Sequence, residues 1–337
     1  MDGLPAGLKL DMEQIYLQMS RRAPGRDKAA TPRLEKDIPE IVSGVMNGTT
    51  TGAPLCAVIQ NTNTRSQDYG DVLTKPRPAH ADLTGYIRYG GFNDIRGGGH
   101  FSARLTAPLV FAGAVCRQLL LDRGIKIAAH IASVGSINDS RFDPVNIPDE
   151  LMDRLSSVTF GLIDQSREAE MRELIEQCRL EQDSIGGTIE CAVTGMPQGA
   201  GSPMFSGIEN VLSSVIFGIP AVKGIEFGSG FEGSALRGSE NNDEFYYDGG
   251  TVKTRTNRHG GILGGISSGM PIVFRVAMKP TPSISRAQNT VDLSEKSDSS
   301  IEIKGRHDPC IAVRAVPVIE AAAALAMVNI LAEVHKL

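Results

Sequence analysis

Gly305-Arg306-His307-Asp308-Pro309-Cys310, with the apolar stretch 315–334 just after it, is the part of the sequence on which the fold turns. A guanidinium, an imidazole and a carboxylate stand side by side, and Pro309 fixes the backbone ahead of the apolar run. Charges at a rigid turn before a helix suit an anion, because the helix N-terminus adds its own positive end. The same six residues also read as a plain surface cap. Pro317, Glu320, Asn329 and Glu333 interrupt the apolar stretch, so it reads as a buried core helix rather than a membrane span. That reading gives a soluble, cytoplasmic chain.

Working outward, 337 residues with 41% hydrophobic and 22% charged content describe an ordinary globular protein with a large core. The five cysteines lack CxxC spacing, which argues against a disulfide framework or a metal site and for a reducing compartment. A net charge of −5 provides no overall basic field for nucleic acid or an anionic membrane. Tryptophan is absent, which leaves few platforms for stacking single strands. No basic-then-apolar signal peptide opens the chain.

Periodicity and breakers predict a helix over 11–22, a hairpin within 38–60 and a polar, Gly-rich loop over 61–104. A helix over 108–122, a strand near 125–134 and a long charged helix over 149–183 follow. Then come strands at 186–195, 221–227 and 271–279, an apolar helix at 208–217, a polar excursion at 284–300 and the terminal helix. With no long linker, the expectation is one α+β domain over residues 1–337.

Cationic residues gather in the Gly- and Pro-rich loops: Arg21 and Arg22, then Arg65, Arg77 and His80, then Arg96, His100 and Arg104, and later Lys279 and Arg306. Any one of these suits a solvated face. Their recurrence in an acidic protein points to a small ligand carrying several negative charges, since Arg forks bind carboxylate and phosphate and Gly-loop amides cradle phosphate. His80 follows the stiff Pro78, and Asp82 is placed to orient it. A histidine beside a bound phosphate favours its charged form and suits the acid that protonates a leaving phosphate. Gly228-Ser229-Gly230-Phe231-Glu232-Gly233 matches G-x-G-x-x-G after an apolar strand, which raises an NAD-dependent oxidoreductase as a competing reading. Arg237 to Asp243 are too polar and too rich in breakers for the helix that motif needs.

Five segments resemble the chorismate synthase family: residues 21–25; Asn61-Thr62-Asn63-Thr64-Arg65-Ser66-Gln67-Asp68-Tyr69; the His80 loop running into 97–104; 257–269 with 279–283; and 305–314. They lie in family order from Gly3 to the C-terminus. The resemblance implies a β-α-β sandwich, with helices between antiparallel sheets, assembled as a homotetramer. It implies conversion of 5-enolpyruvylshikimate-3-phosphate to chorismate and phosphate by an anti 1,4-elimination. That reaction needs reduced FMN (FMNH2) without net redox change, and an external flavin reductase supplies it. Substrate and flavin together bring two carboxylates and two phosphates, which suits the cationic loops.

Carried over by motif, His80 resembles a catalytic histidine near the departing phosphate, and Asp308 the carboxylate that assists proton removal. Lys279, Pro280, Thr281, Pro282 and Ser283 match the loop holding the FMN phosphate. His100, Phe101, Ser102, Ala221, Gly264 and Arg306 match further flavin contacts, with Ser102 also counted in the catalytic set. Arg22 matches an arginine that contacts substrate or a nucleotide (NADP), with Arg21, Arg104 and Arg314 as helpers. Two departures stand out. The run His100-Phe101-Ser102-Ala103-Arg104-Leu105-Thr106 differs from many members but keeps Ser102 and Arg104, as in a subfamily variant. Family members also carry, ahead of the segment matching residues 2–8, a Gly-Glu-Ser-His-Gly element with another catalytic histidine. The sequence has no such element, so a truncated gene model is one expectation. The alternative function is an impaired homologue that binds FMN or substrate, its activity lowered by the roughly 10²–10⁴-fold that an acid–base group contributes.

Overall fold

The computed structural model describes residues 1–25, 27, 29–31, 35–61, 74–94, 96–303 and 307–334, the side chains of 96–98 aside. The chain begins with an extended segment held to a hairpin region: Met1 and Leu55 exchange backbone hydrogen bonds at 2.8 Å in both directions. Helix α1 (Met12–Arg22) starts where the Asp11 carboxylate accepts the Gln14 N–H at 3.0 Å, and it buries Ile15 and Met19. Strands β1 (Pro39–Ser43), β2 (Val45–Met46), β3 (Thr49–Thr50) and β4 (Cys56–Ile59) form antiparallel pairs β1–β4 and β2–β3, as the hairpin expectation required.

The supposed loop 61–104 contains a helix, α2 (Asp82–Arg88), among its described residues. Periodicity misses it because it has only seven residues, Gly85 included, and buries little more than Asp82 and Gly85. Helix α3 (Thr106–Leu121) and strand β5 (Lys126–Val134) follow, then β6 (Ile137–Asn138). The long charged helix expected over 149–183 is two helices, α4 (Asp149–Leu155) and α5 (Glu168–Leu180). The intervening segment carries the β-branched Val158 and Thr159 and then Gly161, and a new start is made where Asp164 accepts the Ser166 N–H at 3.0 Å.

Strand β7 (Gly187–Thr194), helix α6 (Ile208–Phe217) and strand β8 (Val222–Phe227) match the sequence expectations closely. The glycine motif after β8 opens a 3₁₀ turn and the one-turn α7 (Gly238–Asn241), not a long helix. Small hairpins β9 (Phe245–Asp248) with β10 (Thr251–Thr254) and β11 (Ile262–Leu263) with β12 (Ile266–Ser267) precede β13 (Ile272–Met278). The polar excursion near 284–300 is a hairpin, β14 (Gln288–Asp292) with β15 (Ser297–Ile301). Helix α8 (Ala312–Glu333) closes the fold with Pro317 inside it.

The main sheet has the order β6-β5-β7-β13-β8, and every pairing in it is antiparallel. A dinucleotide-binding unit needs a parallel sheet, so the oxidoreductase reading falls here. Alternation sorts the sheet's two faces. Ile127, Ala129, Ile131, Cys191, Val193, Phe274 and Val276 join the large core with α1, α3, α6 and α8. Ala128, Ala192 and Val273, in register across three strands, face α4 with Phe142, Met152 and Leu155. Ile41, Leu55, Ala57 and Ile59 of the N-terminal hairpins belong to the same large core as the helices. The expected α+β arrangement, helices layered against antiparallel sheets, is the one adopted.

The Ala103–Leu121 segment and α8 are both long and apolar enough to cross a membrane by length and composition. Both serve as core helices here. A Cβ on Gly113 of α3 would fall 2.3 Å from the Cβ of Ala321 in α8, so the two backbones touch.

Candidate active site

The sheet and the helix starts gather the predicted residues into two neighbouring corners. The first joins the His80 loop to the 279–283 turn at the end of β13. Arg77 is buried and clamps Asp82 through Nε at 2.7 Å, Nη2 at 2.8 Å and its backbone N–H at 3.0 Å. Its Nη1 donates to the Ser283 hydroxyl at 3.0 Å, which ties the two loops together. Lys279 Nζ donates to the Ala79 carbonyl across the same junction.

His80 Nδ1 lies 2.7 Å from Asp82 Oδ1 and 3.1 Å from Arg77 Nη2. A guanidinium only donates and the carboxylate only accepts, so the shorter contact assigns the Nδ1 proton to His80. Nε2 is then the ring nitrogen not engaged by Asp82 or Arg77. Burial alone would raise the Asp82 pKa, but hydrogen bonds from Arg77 and His80 and the Arg77 charge hold it well below the usual carboxylate range. The carboxylate therefore stays charged and orients the imidazole.

The second corner lies where the end of α1 meets the start of α8. Asp308 Oδ1 accepts the Thr31 N–H at 2.9 Å, and Oδ2 accepts Arg314 Nη1 at 2.7 Å. Arg314 Nε also donates to the Arg22 carbonyl at 3.0 Å. Arg22 is buried against Asp37 at 2.5 Å, the Thr106 hydroxyl at 3.2 Å and the Ala103 carbonyl at 2.9 Å. Burial, then the Arg314 charge, lowers its pKa. Ser102 caps the turn after the glycine loop by accepting the Arg104 N–H at 3.3 Å. His100 is exposed and stacks edge-on to Tyr89, ring centroids 5.2 Å apart, and also packs against Phe101 at 4.4 Å.

Residues 184–186 join the corners. Ser184 donates its hydroxyl to the Thr281 carbonyl at 2.7 Å, and the Ile185 N–H bonds the Pro309 carbonyl at 2.8 Å. A Cβ on Gly186 would meet Pro280 Cδ at 3.1 Å and the Met278 carbonyl at 2.6 Å, so glycine allows this close approach. Ala221 also belongs to the first corner: its carbonyl accepts the Lys279 N–H at 3.0 Å. Gly264 sits elsewhere, at the tip of the β11–β12 hairpin, which is anchored by the Ile208 N–H on Gly265 and the Ser267 N–H on Ala200. Arg306 lies outside the described residues.

Arg21 needs correction as a substrate helper. It is 1% exposed, and its guanidinium is committed to Glu320 at 2.5 and 3.2 Å, Gln18 at 2.6 Å and the Val158 and Leu155 carbonyls. Arg117 meets the same carboxylate at 2.8 Å. This is a core ion cluster. Sequence reading also missed a charge row on the α4 face of the sheet, where His130, Glu190, Arg275 and Glu226 stand in register on four adjacent strands. Alternating polar residues inside apolar strands were its signal.

The donor chemistry of the first corner fits a phosphate monoester. The Thr281 hydroxyl oxygen, on the same turn as Lys279 and Ser283, is buried without a hydrogen-bond partner among the described residues. Burial and the nearby charge of Lys223 both push the Lys279 pKa down, strain that a bound dianion relieves.

Comparison with known proteins follows the same line. The family model described as chorismate synthase matches residues 1–332. The chorismate synthase of Dehalococcoides mccartyi is 45% identical over 331 residues, covering 98% of this chain and 89% of that protein. That of Methanothermobacter thermautotrophicus is 43% identical over 329 residues, covering 97% and 87%. A crystal structure of chorismate synthase matches with a TM-score of 0.75 at 29% identity, over 98% of this chain and 86% of that one. Nothing in these matches favours an impaired homologue.

Proposed function

The chain belongs to the chorismate synthase family, and on that premise we propose that it is a lyase that removes phosphate from 5-enolpyruvylshikimate-3-phosphate by anti 1,4-elimination to give chorismate. The step leads toward the aromatic amino acids. The family implies a flavin cofactor, which we assign as reduced FMN. The observation that carries the reading is the Arg77–Ser283 bond, which sets the Asp82-oriented His80 against the 279–283 turn.

In this reading Lys279, Thr281 and Ser283 hold the FMN phosphate, with His100, Phe101, Ser102, Ala221 and Arg306 as further contacts. When bound, the reduced flavin supplies electron density to the reacting ring without being consumed. His80 Nε2 gives its proton to the departing phosphate while Asp82 supports the imidazolium. Asp308, fixed by Thr31 and Arg314, accepts a proton on the opposite side of the reaction. Arg104 and Arg314 supply positive charge for the substrate carboxylates; Arg22, buried and paired with Asp37, supports them from behind rather than contacting a substrate or nucleotide.

We further read residues 1–337 as one domain, working in the cytoplasm as a homotetramer served by an external reductase. Phe205, Phe231 and Tyr247, 86%, 82% and 78% exposed, support association between copies. The test is anaerobic phosphate release from the substrate with reduced FMN. Release with formation of chorismate is expected; FMN binding without release would overturn the enzymatic reading.

A further inference from the structure

β8 and β13 shift register where they approach the Lys279 turn. Met278 pairs with Val222 and Ala277 with Gly224, which leaves Lys223 as the extra residue of a β-bulge. Bulges re-aim a side chain at the margin of a sheet. Two residues earlier Ala221 takes a φ of +77°, unusual for a residue with a Cβ, and its carbonyl holds the Lys279 N–H. This kinked edge sets Lys223 beside Lys279. Lys223 is exposed, and among the described residues it makes no ion pair and Lys279 gives its ammonium only to the Ala79 carbonyl.

Two ammonium groups side by side without a carboxylate repel each other, and burial of Lys279 sharpens the effect. The Thr281 hydroxyl of the same turn, buried without a hydrogen-bond partner among the described residues, is a donor open to an acceptor-rich anion that would relieve it. We propose that Lys223 is a second cation of the phosphate cradle at the 279–283 turn, reaching a phosphate monoester from the β8 side. The proposal rests on the reading of that turn as the flavin-phosphate site.

The experiment titrates the full chain with FMN and with riboflavin, which differ only by the phosphate, following flavin fluorescence. Lys223→Met weakens FMN binding about tenfold, equivalent to ~1.4 kcal/mol, and leaves riboflavin binding unchanged. Lys223→Arg restores most of the loss because it keeps the charge. FMN affinity also falls less steeply with salt in K223M than in the parent protein. Lys279→Met tests the underlying reading: FMN affinity equal to that of the parent would overturn the phosphate site itself. Loss of FMN binding in K279M with none in K223M, or equal loss of FMN and riboflavin in K223M, would sink the role of Lys223 alone.

Discussion

Asp82→Asn probes the His80 corner through both stability and catalysis. Asp82 is 8% exposed and receives Arg77 at 2.7, 2.8 and 3.0 Å and His80 at 2.7 Å. The amide keeps the shape but removes the charge, so Arg77 stays buried without its counter-ion. Removing one partner of a buried ion pair costs about 3–5 kcal/mol. The Ser283 bond to Arg77 and the retained amide oxygen put the cost here near the lower end, about 3 kcal/mol. At about 2–3 °C per kcal/mol, Tm falls by roughly 6–9 °C at pH 7.

The sign of the pH effect follows from the depressed carboxyl. Its contribution is complete above the unfolded pKa of about 3.9 and is lost as pH falls toward the lower folded value. The Tm gap between parent and D82N therefore narrows on acidification below about pH 4. In catalysis, D82N removes the negative charge that supports the His80 imidazolium beside Arg77, and kcat for phosphate release drops about 10²–10⁴-fold. FMN affinity changes little. A folded D82N with kcat within about threefold of the parent would refute the assignment of His80 as an Asp82-supported acid. An unchanged Tm would refute the ion-pair reasoning.

Three further outcomes test the scaffold. Glu320→Gln strands Arg21 and Arg117 in the core and destabilises by about 3–5 kcal/mol in urea unfolding; a change under about 1 kcal/mol would contradict the cluster's role. Gly113→Ala forces α3 away from Ala321 and costs about 1–3 kcal/mol, read as a lower midpoint with unchanged slope. Burial opposes the charge on His130, yet hydrogen bonds and charges from Asp139 and Glu190 win and raise its pKa. Its stabilisation is thus full below about pH 6.5 and is lost as pH rises through the higher folded value. His130→Gln removes that alkaline-side component from the Tm-against-pH curve; an identical curve shape in H130Q would count against a charged His130.

Elements with strong periodicity were legible in the sequence. α1, α3, α6, α8 and the main-sheet strands β5, β7, β8 and β13 fall within a few residues of expectation, because burial of one face or of both leaves a repeating apolar signal, whereas the two-residue β6 was not expected. The misses share a cause. α2 is short and one-sided, with Gly85 packed on Phe101, and the β14–β15 hairpin is polar on both faces. The break between α4 and α5 sits inside a segment whose charged composition is continuous on either side of it. For α2 and the hairpin, contacts with the rest of the fold settle the conformation, whereas the break is set by Val158, Thr159, Gly161 and the Asp164 cap, local signals that the charged composition around them masks.

The cationic loops divide in the same way. Residue types and order in 21–25, 279–283 and 305–314 already marked an anion-handling protein and its family. Composition could not separate Arg21 from Arg22, neighbours of identical chemistry. Arg21 meets Glu320, 299 residues away, while Arg22, just as buried, meets Asp37 and the Ala103 carbonyl beside Arg314. Helices and strands with strong local periodicity are determined by the sequence alone. Where a charge is neutralised inside, as at both of these arginines, and where it is left for a ligand depends on partners brought together only by long-range packing, and only the folded chain decides that.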